Sequence, residues 1–301
     1  MSGTPTLLRL TAAAVATRLA YAALTRAQPG GEKTWTRTNH RGEPVTLLEG
    51  PAVTAGAVVA AVTMSDLDVR TRLALGVAGA GAGGFGCYDD LAETGDRRGF
   101  RGHLGALARG EFTTGAIKLA GIGAVGLATG ILLDCRDSAA GSGGRPGGKA
   151  SAAARVADVL INAGLVAGCA NLVNLFDLRP GRAIKVSLLA GGALSLGGKD
   201  ARAAVAAPVG AAAAMLSEDL GEQAMLGDCG ANALGAMLGV GAASLPRPAR
   251  LAILGGVAGL TAASEKVSFT KVIARTPVLN RLDMLGRRPV QAAVADPPHP
   301  P

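Results

Sequence analysis

The sequence predicts an all-α protein: a polytopic integral-membrane helical bundle of about nine to ten transmembrane helices. Three observations predict it. Hydrophobic residues make up 49% of the 301 residues, charged residues only 17%, and the mean hydropathy is +0.34, too apolar for an ordinary soluble domain of this size. Apolar runs recur along the whole chain, most of them near the ~20 residues that cross a bilayer as a helix. Polar and acidic motifs are confined to the ends of those runs, where a backbone that must bond to itself at membrane depth emerges into water.

The runs extend from Leu7 to Leu24, Thr46 to Ser65, Leu73 to Tyr88, Thr114 to Leu133, Ala154 to Leu175, Ile184 to Gly198, Ala203 to Leu216, Cys229 to Leu245 and Leu251 to Ala263. They are rich in Gly and Ala, which let helices pack closely. The first lacks the basic start and cleavage site of a signal peptide and reads as a retained span. Residues 1–288 form the membrane-embedded domain in this reading, and the Pro-rich 289–301 a disordered tail. The net charge of +8 is assigned to basic loops against anionic lipid, not to nucleic acid. Cys87, Cys135, Cys169 and Cys229 are scattered with no CxxC spacing, which indicates neither a disulfide framework nor a zinc site.

In chain order, the first polar stretch is Arg37-Thr38-Asn39-His40-Arg41-Gly42-Glu43-Pro44. It reads either as a solvated loop with a Gly turn or as an anion-binding loop built on Arg37, Asn39 and Arg41. The third run ends in Asp89-Asp90. Two carboxylates at the lip of an apolar run are solvated helix-end groups or a place where a hard divalent cation and phosphate meet. Gly81 to Gly86 matches GxGxxG but sits inside an apolar helix without a preceding strand, so it is read as helix packing. Lys118, a turn inside the fourth run, either snorkels to the run's end or contacts phosphate. Asn171, Asn174 and Asp177 stand three apart and share a face if the helix continues that far. Asp228, in Leu226-Gly227-Asp228-Cys229-Gly230, is an N-cap or a ligand approached closely between glycines. Loops after the odd-numbered runs hold more of the 30 Lys and Arg than the others, which places all these motifs on one, cytoplasmic, face.

Together the motifs resemble those of the polyprenyl-phosphate N-acetylhexosamine-1-phosphate transferases, the MraY/WecA-type enzymes of glycosyltransferase family 4. Asp89-Asp90, Asn174-Leu175-Phe176-Asp177, Leu226-Gly227-Asp228-Cys229-Gly230 and His40-Arg41-Gly42-Glu43-Pro44-Val45 are similar to four family motifs in order. The chain departs from the family at Glu93, where Lys is common, and has no His between His103 and His299. The resemblance implies a Mg2+-dependent phospho-sugar transferase, with Mn2+ as the alternative ion. It would move a sugar-1-phosphate from a UDP-sugar to polyprenyl phosphate, releasing UMP, for cell-envelope glycopolymer synthesis. It implies Asp89, Asp90 and Asp177 as catalytic, with Asp228 and Asp90 at the metal. Substrate binding would fall to Arg37, Asn39, Arg41, Lys118, Asn171 and Asn174. The implied setting is the plasma membrane, multi-pass, alone or as a homodimer. The rival readings are a transporter or channel, since intramembrane carboxylates also mark ion pathways, and a catalytically inactive membrane scaffold.

Overall fold

Gly227–Ala243 is a helix with hardly a large side chain, and it lies at the centre of the molecule: every residue from Cys229 to Ala243 is buried. The computed structural model describes residues 4–63, 67–92, 114–139 and 151–289, and the structural statements below concern these. The helices are α1 (Thr4–Ala27), α2 (Glu32–Trp35), α3 (Glu49–Thr63), α4 (Val69–Ala92), α5 (Thr114–Ala139), α6 (Ala152–Phe176), α7 (Arg182–Ser195), α8 (Lys199–Leu220), α9 (Gly227–Ala243), α10 (Arg247–Ser264), α11 (Phe269–Arg275) and α12 (Pro277–Met284). A short antiparallel hairpin, β1 (Thr36–Thr38) and β2 (Pro44–Thr46), interrupts them, with Arg37 paired to Val45. Glu93, the basic cluster from Arg97 to Arg109, residues 140–150 and the end from 290 lie outside the described residues.

Helix α9 packs against α3, α4, α6, α7 and α8. Its glycines make this possible. A Cβ on Gly235 would sit 2.2 Å from the Cys169 carbonyl oxygen, and one on Gly239 2.6 Å from the Val166 Cα, so α6 and α9 touch backbone to backbone. Leu234, Met237 and Val240 of α9 join Leu165 and Val166 of α6 and Ala74, Leu75 and Ala78 of α4 in one core. Polar pairs fasten the periphery. Arg250 of α10 donates to Asn162 at 2.9 Å and Asp158 at 3.1 Å on α6, and Arg155 reaches Asp134 at 2.7 Å between α6 and α5. Ser151 caps α6 by accepting from the Ala154 N–H at 3.2 Å.

The all-α expectation holds, with one small hairpin where a loop was expected. The expectation of nine or ten transmembrane helices does not. Among the described residues four helices are long and apolar enough to cross a membrane, by length and composition: Thr6–Ala27, Thr114–Asp134, Ala152–Phe176 and Lys199–Leu220. Helices α7, α3 and α9 have 14, 15 and 17 residues. At ~1.5 Å per residue they rise roughly 21–26 Å, short of a ~30 Å hydrocarbon core. Their apolar faces are taken up by neighbouring helices. The multi-pass plasma-membrane localisation rested on that count and is corrected with it.

Candidate functional site at the junction of α4, α6, α8 and α9

The site begins where α4 ends on the start of α9. Gly86 allows it: a Cβ there would meet the Asp228 carbonyl oxygen at 2.2 Å and the Cys229 nitrogen at 2.8 Å. One turn on, the two adjacent aspartates point in different directions, as residues ~100° apart on a helix must. Asp90 turns to α9. Its two oxygens accept the N–H groups of Asp228 at 3.0 Å and Cys229 at 2.9 Å. It thus caps α9 from another helix, satisfying donors that have no partner within their own helix. Burial, and then the Asp228 charge, push its carboxyl up to about 7 against those two bonds. Asp89 is buried and faces Lys118, whose Nζ lies 2.6 Å away and also pairs with Asp228. Burial tends to raise the Asp89 carboxyl, but the Lys118 hydrogen bond and charge outweigh it and hold it below the usual range.

Asp89, Lys118 and Asp228 line a cavity of about 600 Å³ together with Thr38, Asn39, His40, Asn174, Asp177, Arg179, Asp219 and Glu222. Helix α6 stops at Phe176, which stacks on Phe269 with ring centroids 5.1 Å apart, and Asp177 takes the C-cap position at the cavity wall. Burial first, then the charges of Asp219, Asp228 and Asp90, push its carboxyl well up. Asp219 accepts from the Gly181 N–H at 3.0 Å through one oxygen; the other, Oδ2, is buried without a hydrogen-bond partner. The residue is only 3% exposed.

The hairpin closes one side. Thr46 bonds to the α8–α9 connection, its N–H donating to Gln223 at 3.3 Å and its carbonyl accepting from Met225 at 2.9 Å. Glu222 in that connection accepts from Asn39 Nδ2 and Arg41 Nε, both at 2.8 Å, with His40 Nδ1 at 3.6 Å. Burial pushes the His40 imidazole down, more than Glu222 raises it. A second pocket of about 220 Å³ shares His40, Arg179 and Glu222 and is lined further by Arg41, Arg182, Asp283, Arg287 and Arg288. The two pockets thus join a carboxylate cluster to a guanidinium cluster.

Of the residues singled out in the sequence, Asn39, Lys118, Asn174, Asp89, Asp177 and Asp228 line the large cavity, and Arg41 lines the small one. Asn171 lines neither. Asp90 is engaged with backbone N–H groups. Arg37 donates to the main-chain carbonyls of Thr34 at 3.1 Å, Thr36 at 2.9 Å and Asp90, and so braces the hairpin against α4. Asn39 also holds the hairpin turn, its Oδ1 accepting from Arg41 at 2.8 Å and Glu43 at 2.9 Å. Sequence reasoning assigned no role to Asp219, Glu222, His40 or Arg179. The available signal was Glu218-Asp219-Leu220-Gly221-Glu222, three acids closing an apolar run.

Among the described residues no group of three His, Cys, Asp or Glu stands together in a form that could hold a metal ion. No family model matches the chain, and no curated protein matches it. The MraY/WecA resemblance is therefore not upheld. The sugar-1-phosphate transfer it implied, with UDP-sugar, polyprenyl phosphate and membrane as partners, is corrected with it. Short motifs such as Asp-Asp or Gly-Asp-x-Gly recur at helix ends for capping reasons alone, as Asp90 and α9 illustrate.

Glu49 opens α3 fully buried, with neither carboxyl oxygen hydrogen-bonded. Burial, then the charges of Asp219, Asp177 and Glu218, raise it well above its ordinary value near 4.5. The folded protein therefore keeps a proton that the unfolded chain has lost. The stability this supplies is complete below about 4.5 and is lost as pH rises through the raised value, by ~1.4 kcal/mol per pH unit. Glu49→Gln, neutral throughout, flattens the dependence of melting temperature on pH between pH 5 and 8. Parallel wild-type and variant curves would show that Glu49 does not carry it.

Proposed function

We propose that the large cavity binds a divalent cation, Mg2+ in the first instance, together with a phosphorylated small molecule, and that it is a phosphoryl-transfer site. The observation that carries this is the buried Asp219 Oδ2, which has no partner, in a cavity where Asp89, Asp177 and Asp228 also present carboxylates. Four carboxylates around one space, with Lys118 placed against only two of them, call for more positive charge than the side chains supply. All-oxygen donors suit a hard cation. Asp177, Asp219 and Asp228 would hold it, and when bound it supplies charge neutralisation at phosphate oxygens.

The chain's own residues support the rest of the reading. Lys118 and Arg179 supply positive charge to a phosphate in the cavity. Asp89, kept ionised by Lys118, is the group to accept a proton from an incoming hydroxyl. Arg41, Arg287 and Arg288 in the adjoining pocket extend the positive surface to a second anionic group. The test is titration calorimetry of the folded protein with Mg2+ alone, then with inorganic pyrophosphate in the presence of Mg2+. We expect Mg2+ to bind, Asp219→Asn to weaken it by roughly tenfold or more, and pyrophosphate to bind more tightly with Mg2+ than without. No heat with Mg2+ or Mn2+, and pyrophosphate binding indifferent to either, would overturn the proposal.

A further inference from the structure

Gly86 and Asp90 bring the last turns of α4 onto the first turn of α9, and they carry a pair of thiols with them. Cys87 follows Gly86, whose missing Cβ would stand 2.8 Å from the Cys229 nitrogen, so the two backbones are in direct contact at this level. The Cys87 and Cys229 thiols are hydrogen-bonded to each other, and the Cys229 Sγ also lies 3.7 Å from Thr54 Oγ1. Both cysteines are free; Cys229 is buried and Cys87 is partly exposed. A thiol with access beside a shielded partner is the arrangement in which an oxidised first sulfur is resolved by a second. Neither residue belongs to the cavity lining, and no function described above uses them.

We propose that Cys87 and Cys229 form a reversible, peroxide-sensitive thiol pair that locks the α4–α9 junction when oxidised. The Cys87 thiolate attacks a hydroperoxide oxygen, the O–O bond breaks and Cys87 becomes a sulfenic acid. The Cys229 thiol then attacks that sulfur, the S–S bond forms and the sulfenic oxygen leaves as water. With hydrogen peroxide the two thiols give up two electrons and two protons, and the peroxide becomes two waters. A dithiol reductant reverses the change by exchange through a mixed disulfide.

Favouring this order, the Cys87 thiol is drawn down to about 7 by the hydrogen bond with Cys229, against burial, while the Cys229 thiol is pushed up. A larger thiolate fraction at neutral pH makes Cys87 the attacking sulfur. The crosslink would span the junction that Asp90 caps through the Asp228 and Cys229 N–H groups, one residue from Asp228. Its effect on Mg2+ rests on the proposed function above; its formation does not.

The experiment exposes the full chain to stoichiometric hydrogen peroxide, alkylates remaining thiols under denaturing conditions and maps peptides without reduction. The expected result is a Cys87–Cys229 linked peptide with the loss of two hydrogens, reversed by dithiothreitol. It is absent from Cys87→Ser and from Cys229→Ser, each checked for an unchanged melting profile. In Cys229→Ser, Cys87 should instead accumulate as sulfenic acid, trapped by dimedone. Cys87 overoxidised in the wild type with no linked peptide, or linkage of either thiol to Cys169, would overturn the pairing. Mg2+ titration of the oxidised and reduced forms separates the two ideas: a crosslink with no Mg2+ binding in either form retains the thiol pair and sinks the cation site.

Discussion

Lys118→Met lowers the stability of the protein by about 3–5 kcal/mol at neutral pH, the range for breaking a buried ion pair by removing one partner. The Lys118 side chain is 16% exposed and stands against Asp89, 9% exposed, and Asp228, 26% exposed. Methionine keeps most of the stem and its packing but leaves two shielded carboxylates facing one another. One of them must then take up a proton or accept the repulsion, so the loss shrinks as pH falls toward 5. A divalent cation offers another route. If the cavity holds one, millimolar Mg2+ raises the melting temperature of Lys118→Met by more than it raises that of the wild type, because linkage returns binding energy as stability. Thermal denaturation with and without Mg2+ at pH 5 and 7.5 measures both effects. A variant as stable as the wild type, or one whose stability ignores Mg2+, contradicts the expectation.

Asp283→Asn is expected to cost a similar amount, for the opposite reason. Asp283 accepts from Arg182 Nε at 2.8 Å and Nη2 at 3.0 Å, and from Arg287 Nη2 at 2.7 Å. It is the acid that fastens α12 to α7, and it lines the guanidinium-rich pocket. Arg182 lowers its carboxyl below the usual range, with Arg287 adding to that, in spite of burial. Asparagine removes the charge and one acceptor, stranding two buried guanidinium groups, a loss of ~3–5 kcal/mol. The apolar double variant Arg182→Met/Asp283→Leu leaves no unpaired charge between these two positions and should lose less than Asp283→Asn alone. Inorganic phosphate should restore part of the single variant's stability, since the freed guanidinium groups bind anions bidentately. Urea unfolding of the three proteins with and without phosphate decides it. Equal losses in the single and double variants, with no phosphate effect, would assign Asp283 to packing alone.

By itself the sequence determined that the chain is helical and where the helices break. Gly, Pro and the polar clusters punctuate the apolar runs, and these signals are local. It also pointed to Asp89, Lys118, Asn174, Asp177 and Asp228 as residues of interest, because acids and a lysine at the ends of apolar runs are costly wherever they fall. The same locality explains the overcount of membrane spans. A Gly- and Ala-rich run has the same composition whether it faces lipid or five other helices, and in α9 it is the other helices that cover it. What only the tertiary structure decided is which polar atoms find partners. Asp90 reads like Asp89 in sequence, yet it caps a helix 138 positions away, while Asp89 meets Lys118. Arg37 spends its guanidinium on carbonyls, and Asn171 falls outside both pockets. Asp219 and Glu222 become site residues because the hairpin and the α6–α7 turn reach them across the chain. A buried carboxylate is defined by the donors around it, and those donors arrive from distant segments whose approach depends on packing that no single stretch of sequence encodes.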